Sequence, residues 1–262
     1  MKNNLTFLQL LNIAALIGVV TVNALANALP INGITTGEVS DSYPNLFAPA
    51  GFTFAIWAVI YLLLAAFAIY QAKGLMGNKE KPEGVLEKVG YYFAASSLFN
   101  MAWIFAWHYE RIGLSLLLMF LIFISLAIIY VRLGSRQKPY PRTELLLVYI
   151  PFSVYFGWIS VATIANVTTF LVSAGWQGFG LSEVFWMVLI VLTGTLVALA
   201  NTLLKKDVFY LLVFVWAYIG ITAKIIDGSQ AYFSILAALV ASLAVFAVLI
   251  YYAALPTVLD VK

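Results

Sequence analysis

An all-α, polytopic membrane protein is the fold class that this sequence predicts, and three features predict it. The 262 residues are 64% hydrophobic and only 10% charged, where a soluble domain carries roughly a quarter charged residues. Apolar runs of about 20 residues, the length that crosses a bilayer, recur along the whole chain. The basic residues also alternate between successive connecting segments. With the N-terminus placed inside, all but Arg111 and Lys224 of the 14 Lys and Arg fall on the same side, as expected of cytoplasmic loops.

That alternation fits eight helices, near 7–29, 50–72, 88–108, 112–132, 144–171, 182–203, 208–226 and 231–254. Both termini are then expected in the cytoplasm, and the chain is expected in the plasma membrane as a multi-pass protein. The first helix has one preceding charge, Lys2, and an apolar run longer than a signal-peptide core. It reads as a retained span despite small-residue sites such as Ala24-Leu25-Ala26. The second opens at Pro49, the third centres on Asn100–Trp107, and the fourth is apolar between Arg111 and Arg132. Pro151 interrupts the start of the fifth. Gly194 and Thr195 suit the sixth to close packing. The seventh ends with Lys224 and Asp227, which are expected to reach the interface together. Pro30–Pro49 reads as an external lid over the helix ends. Lys73–Lys88 and Arg132–Glu144 read as cytoplasmic turns whose basic residues face anionic lipid headgroups.

Composition excludes several functions. The charges form no continuous basic face, so nucleic acid is not a partner. With no Cys there are no disulfides, thiolate metal sites or cysteine nucleophiles, and one His rules out a bis-His haem within one chain. No carboxylate falls in the middle of an apolar run, which argues against an ion-coupled pump. There is no His-Glu-x-x-His motif for zinc hydrolysis.

Three segments carry polar and aromatic residues at helical spacing. Asn100, Trp103 and Trp107 lie at i, i+3 and i+7; Trp57 lies one turn from Tyr61; Trp158 is followed by Ala162 and Asn166. An amide beside indoles inside a bilayer must pack against protein or a ligand. Two readings stand: helix–helix contacts, or one aromatic-lined pocket between helices. His108, at the external end of the third helix, is either an interfacial residue at a turn or a proton donor or axial ligand to a bound haem.

The stretch Pro49-Ala50-Gly51-Phe52-Thr53-Phe54-Ala55-Ile56-Trp57-Ala58-Val59-Ile60-Tyr61 resembles the motif opening the second helix of the TspO/MBR family, the tryptophan-rich sensory proteins related to the mitochondrial translocator protein. Asn100-x-x-Trp103 resembles the third-helix signature of that family. Trp158 through Asn166 resembles its fifth-helix motif at Trp158, Ala162, Thr163 and Asn166. Phe54-Ala55 stands where the family has Gly-Pro. The resemblance covers five helices, so residues 1–172 are expected to form a family-like unit and 173–262 three additional spans. Those spans would cover the unit or supply a homodimer contact.

By resemblance, the five-helix fold encloses a cavity for porphyrin, haem-related or other flat apolar ligands, and no cofactor is required. The resemblance implies ligand contacts at Trp158 and Ala162, with Trp57, Asn100 and Trp103 lining or supporting the pocket. Indole faces offer flat stacking area, and Ala162 leaves room for a ring. With Tyr61, Trp107 and Asn166 these form the candidate binding residues. The leading expectation is a non-enzymatic receptor or sensor for a tetrapyrrole-like molecule. A transporter of small hydrophobic molecules and a light- or oxygen-dependent porphyrin-modifying protein are the alternatives.

Overall fold

The computed structural model describes residues 2–29, 31–73, 83–135, 140–228 and 232–254. Residues 1, 30, 74–82, 136–139, 229–231 and 255–262 lie outside the described residues, among them the middle of the Lys73–Lys88 turn and part of the Arg132–Glu144 turn. The described chain contains helices and no strand. In order these are α1 (Lys2–Ala28), α2 (Thr36–Asp41), α3 (Ile56–Ala72), α4 (Glu83–Val89), α5 (Tyr92–His108), α6 (Ile112–Leu133), α7 (Arg142–Glu144), α8 (Ile150–Ser173), α9 (Glu183–Lys205), α10 (Val208–Asp227) and α11 (Phe233–Ala254).

Among the described residues, seven helices are long and apolar enough to cross a membrane. The remaining long helix, α5, has 17 residues, the lower end of the range of about 17–25 for a span. The third predicted helix, 88–108, is divided. Gly90 adopts φ +53°, a left-handed conformation that glycine takes without steric penalty, and it separates α4 from α5.

Pro151 produces no break in the fifth segment. The turn ahead of it, Leu145–Tyr149, widens into a π-helix in which the Ile150 N–H donates to the Leu145 carbonyl. Proline cannot donate and crowds the preceding turn, and a wider turn absorbs both defects. Helix therefore runs continuously from Arg142 to Ser173.

Helix α5 packs between α1 and α6, α6 packs on α8, and α3 packs against α1 and α8. Helices α9, α10 and α11 pack on one another, and α10 joins them to α8. The crossing is close at Gly157, where an added Cβ would lie 3.1 Å from Val213; small residues permit such an approach. One hydrophobic core runs through both sets of helices.

The turn between α9 and α10 holds a carboxylate that the apolar runs do not advertise. Asp207 is completely buried. Its Oδ1 caps α10 by accepting from the Phe209 and Tyr210 N–H groups. Its Oδ2 accepts from the hydroxyls of Tyr130 (2.6 Å), Tyr149 (3.1 Å) and Ser153 (2.7 Å). The π-helical turn ends on one of these donors, Tyr149. One side chain therefore joins α6, the start of α8 and α10. Replacing it removes a cap and leaves buried hydroxyls without an acceptor, so Asp207→Ala is expected to destabilise the fold by at least about 3 kcal/mol. Ser153→Ala should cost about 1 kcal/mol. Unfolding of both variants in detergent micelles checks this ranking.

Candidate functional site

The predicted site residues gather in two layers along α8. Trp158 belongs to one and Asn166 to the other, eight residues on, or about 12 Å at the helical rise.

In the first layer Trp57 stacks on Tyr61, with ring centroids 5.6 Å apart and 21° between planes. Its indole meets Trp158 edge to face at 6.2 Å and Tyr155 at 6.1 Å. Phe54 also meets Trp158 edge to face, at 6.3 Å. Such edge and offset contacts suit the ring quadrupole. Trp57 is half-buried, so the layer reaches the molecular surface. The Tyr61 hydroxyl and the Trp158 Nε1 are buried and have no hydrogen-bond partner. Asn100 sits behind this layer. Its Oδ1 accepts from Asn23 Nδ2 at 2.9 Å, and its Nδ2 approaches the Tyr155 hydroxyl at 3.5 Å.

In the second layer Asn166 Oδ1 accepts from Trp103 Nε1 (3.1 Å) and from the Ser115 hydroxyl (2.8 Å). Asn166 Nδ2 donates back to the Ala162 carbonyl. Trp103 stacks on Trp107 at 5.6 Å and 22°. Trp107 Nε1 donates to the Thr36 carbonyl. The structure thus brings Trp57, Tyr61 and Trp158 together with Asn100 behind them, and separately joins Trp103, Trp107 and Asn166. Ala162 is half-buried between the layers.

His108 is fully buried and belongs to the lid attachment. Its Nδ1 lies 3.1 Å from the Ile31 carbonyl and its Nε2 3.0 Å from the Thr36 hydroxyl. A carbonyl only accepts, so Nδ1 carries a proton, and neither nitrogen is free for an iron. Among the described residues there is also no group of three His, Asp or Glu able to hold a metal. His108 is therefore not available as an axial ligand to a haem iron.

The described lid is ordered by local rules. Helix α2 begins with a capping box, in which Thr35 accepts from the Glu38 N–H and donates to the Glu38 carboxylate. Those hydrogen bonds, first from the Thr35 backbone and then from its hydroxyl, hold the Glu38 carboxyl below the usual glutamate range. Lys224 pairs with Asp41 of this lid at 2.6 Å. The expected partnership with Asp227 is therefore replaced by one that ties α10 to the lid. The segment Gly51–Ala55 forms a 3-10 turn that docks on the same helix. Ala50 N–H donates to the Gly220 carbonyl, and Trp216 Nε1 donates to the Thr53 carbonyl.

A cavity of about 720 Å³ lies nearby, between lid residues 44–47, the later turns of α8 and the start of α9. None of the eight candidate residues lines it. Sequence reasoning also missed Asn23 and Asp207. A signal existed for Asn23, because Gln9, Asn12 and Asn23 lie on one face of α1 at helical spacing. For Asp207 the signal was an N-cap residue immediately before an apolar run.

The second layer should behave as structure. A double-mutant cycle of Trp103→Phe with Asn166→Ala is expected to give a coupling of about 1 kcal/mol in detergent unfolding. Strictly additive losses would show that the indole and the amide do not interact.

These motif residues can be set beside known proteins. A family model described as TSPO-like protein matches residues 9–252, a span that includes α9, α10 and most of α11. No curated protein and no solved structure matches the chain. The match takes in nearly the whole chain, and seven of the described helices are long and apolar enough to span a membrane: the chain belongs to the TSPO-like protein family, as a multi-pass membrane protein.

Proposed function

We propose that this protein is a membrane receptor or sensor for a flat, apolar small molecule of the tetrapyrrole kind, held against Trp57, Tyr61, Trp158 and Ala162. The observation that carries this reading is the pair of unpartnered polar groups at Tyr61 Oη and Trp158 Nε1. A buried donor without an acceptor costs about 1–3 kcal/mol, and Trp57 contacts both rings that carry one. A flat ligand bearing carbonyl or carboxylate acceptors supplies what these donors lack. The indole and phenol faces supply stacking area.

The other candidate residues then frame the site. Asn100 fixes the Tyr155 side of the first layer, while Trp103, Trp107 and Asn166 hold α5, α6, α8 and the lid in place. The wall of aromatic rings offers no general acid–base pair, so binding without turnover is the chemistry it supports. The alternating charges favour cytoplasmic termini.

Tyr61→Phe tests the reading with two opposite signs. It removes an unsatisfied buried hydroxyl, so the unliganded protein should melt at a slightly higher temperature. It also removes a ligand contact, so protoporphyrin should quench tryptophan fluorescence with an affinity about fivefold weaker, the size of one net hydrogen bond. The double variant Trp158→Phe, Ala162→Leu should lose saturable quenching. Unchanged affinity in both, or non-saturating quenching of the wild type, contradicts the proposal.

A further inference from the structure

We infer that the cavity between the lid, α8 and α9 is a second binding site, distinct from the aromatic layer, and that it takes a small apolar cation. Its volume of about 720 Å³ lies within the range of roughly 300–1,000 Å³ for small-molecule sites. Ile164, Val167, Met187 and Ile190 give it apolar walls. Near the lid end, Trp176 and Trp186 meet edge to face at 4.9 Å and 61°. Trp186 is fixed there by donating its Nε1 hydrogen to the Gly178 carbonyl at 2.9 Å.

Most polar groups lining the cavity are engaged within the protein. Asn45 Oδ1 accepts from the Phe47 and Ala48 N–H groups. The Thr163 and Thr168 hydroxyls donate to carbonyls of their own helix, and Ser182 caps α9. Glu183 differs. It is the one charged residue lining the cavity, it is exposed, and it makes no ion pair with a described residue. It also precedes Trp186 by three positions, which places carboxylate and indole side by side on one face of α9.

Apolar walls, indole rings and one unpaired carboxylate define the ligand class. A cation near an indole face and a carboxylate gains from both. An anion meets Glu183 and finds no basic residue along the wall. That charge pattern separates this cavity from the Trp57–Trp158 layer, whose unpartnered groups include an indole N–H, which can only donate. A choline lipid carries the right cation, but its phosphate would face the same carboxylate, so a free monocation is the better fit.

Binding of radiolabelled tetraphenylphosphonium to the full-length protein in nanodiscs tests this, beside tetraphenylborate, an anion of the same shape. Saturable binding of the cation alone is expected. Glu183→Gln, a near-isosteric change at an exposed position, should weaken it about fivefold, and Val167→Trp should abolish it by filling the cavity. Trp158→Phe should leave it unchanged. Equal binding of both ions, insensitivity to Glu183→Gln, or displacement by short-chain phosphatidylcholine as effective as by unlabelled cation would overturn the inference. If the cation fails to bind while protoporphyrin quenching still depends on Trp158, the second site fails and the first stands.

Discussion

Asn100 and Asn166 place carboxamides in the middle of a bundle of apolar helices, and a buried amide there must find its partners within the protein. Each does so across helices. Asn100 receives α1 through Asn23 and touches α8 through Tyr155. Asn166 receives α5 through Trp103 and α6 through Ser115. Apolar packing is weakly directional when the surrounding lipid is as apolar as the helices. These few bonds therefore specify which faces of α1, α5, α6 and α8 meet. The aromatic layer at Trp57 is positioned by that arrangement, and so are the two donors left without partners within it.

The three later helices are tied into the same scheme. Helix α10 meets α8 at Gly157, receives the start of the α3 segment through Gly220 and Trp216, and reaches the lid through Lys224. Gly220 has no room for a side chain, because an added Cβ would overlap Thr53. The segment preceding Trp57 therefore rests on α10, so a helix outside the five-helix motif set helps to place a residue of the proposed site. At the opposite end of α10, Asp207 gathers hydroxyls from α6, from the π-helical turn and from α8.

Much of this was legible in the sequence, and the reasons for the rest are specific. The long helices followed from apolar runs, a property of short stretches; of the eight expected, seven are long and apolar enough to span a membrane among the described residues. The division of the third helix at Gly90 was missed because a glycine in a helical pattern can be tolerated within the helix or can end it, and the sequence alone does not show its positive φ. Pro151 announced an irregularity but not its form, since a π-turn and a kink answer the same missing N–H. The Trp and Asn spacing placed residues on common faces. It could not tell a satisfied amide from an unsatisfied indole, because that depends on partners such as Asn23 and Ser115 more than 50 positions away. The cavity beside α9 was invisible for a similar reason. It is lined by the lid, α8 and α9, and no local pattern links Asn45, Val167 and Trp186.

In the proposed reading the two tryptophan layers differ in kind: Trp103 and Trp107 are bonded into the frame, and Trp57 and Trp158 take the ligand. Indole ¹⁵N–¹H NMR of the protein in nanodiscs addresses it directly, because each of the 7 tryptophans contributes one resonance. Before ligand is added, Trp158 should show the shift of an indole without an acceptor, and Trp103 and Trp107 those of bonded ones. Adding protoporphyrin should move Trp57 and Trp158 and leave Trp103 and Trp107 in place. Movement of the Trp103 and Trp107 resonances with Trp158 unaffected would assign the ligand to the other layer and exclude the Trp57–Trp158 site.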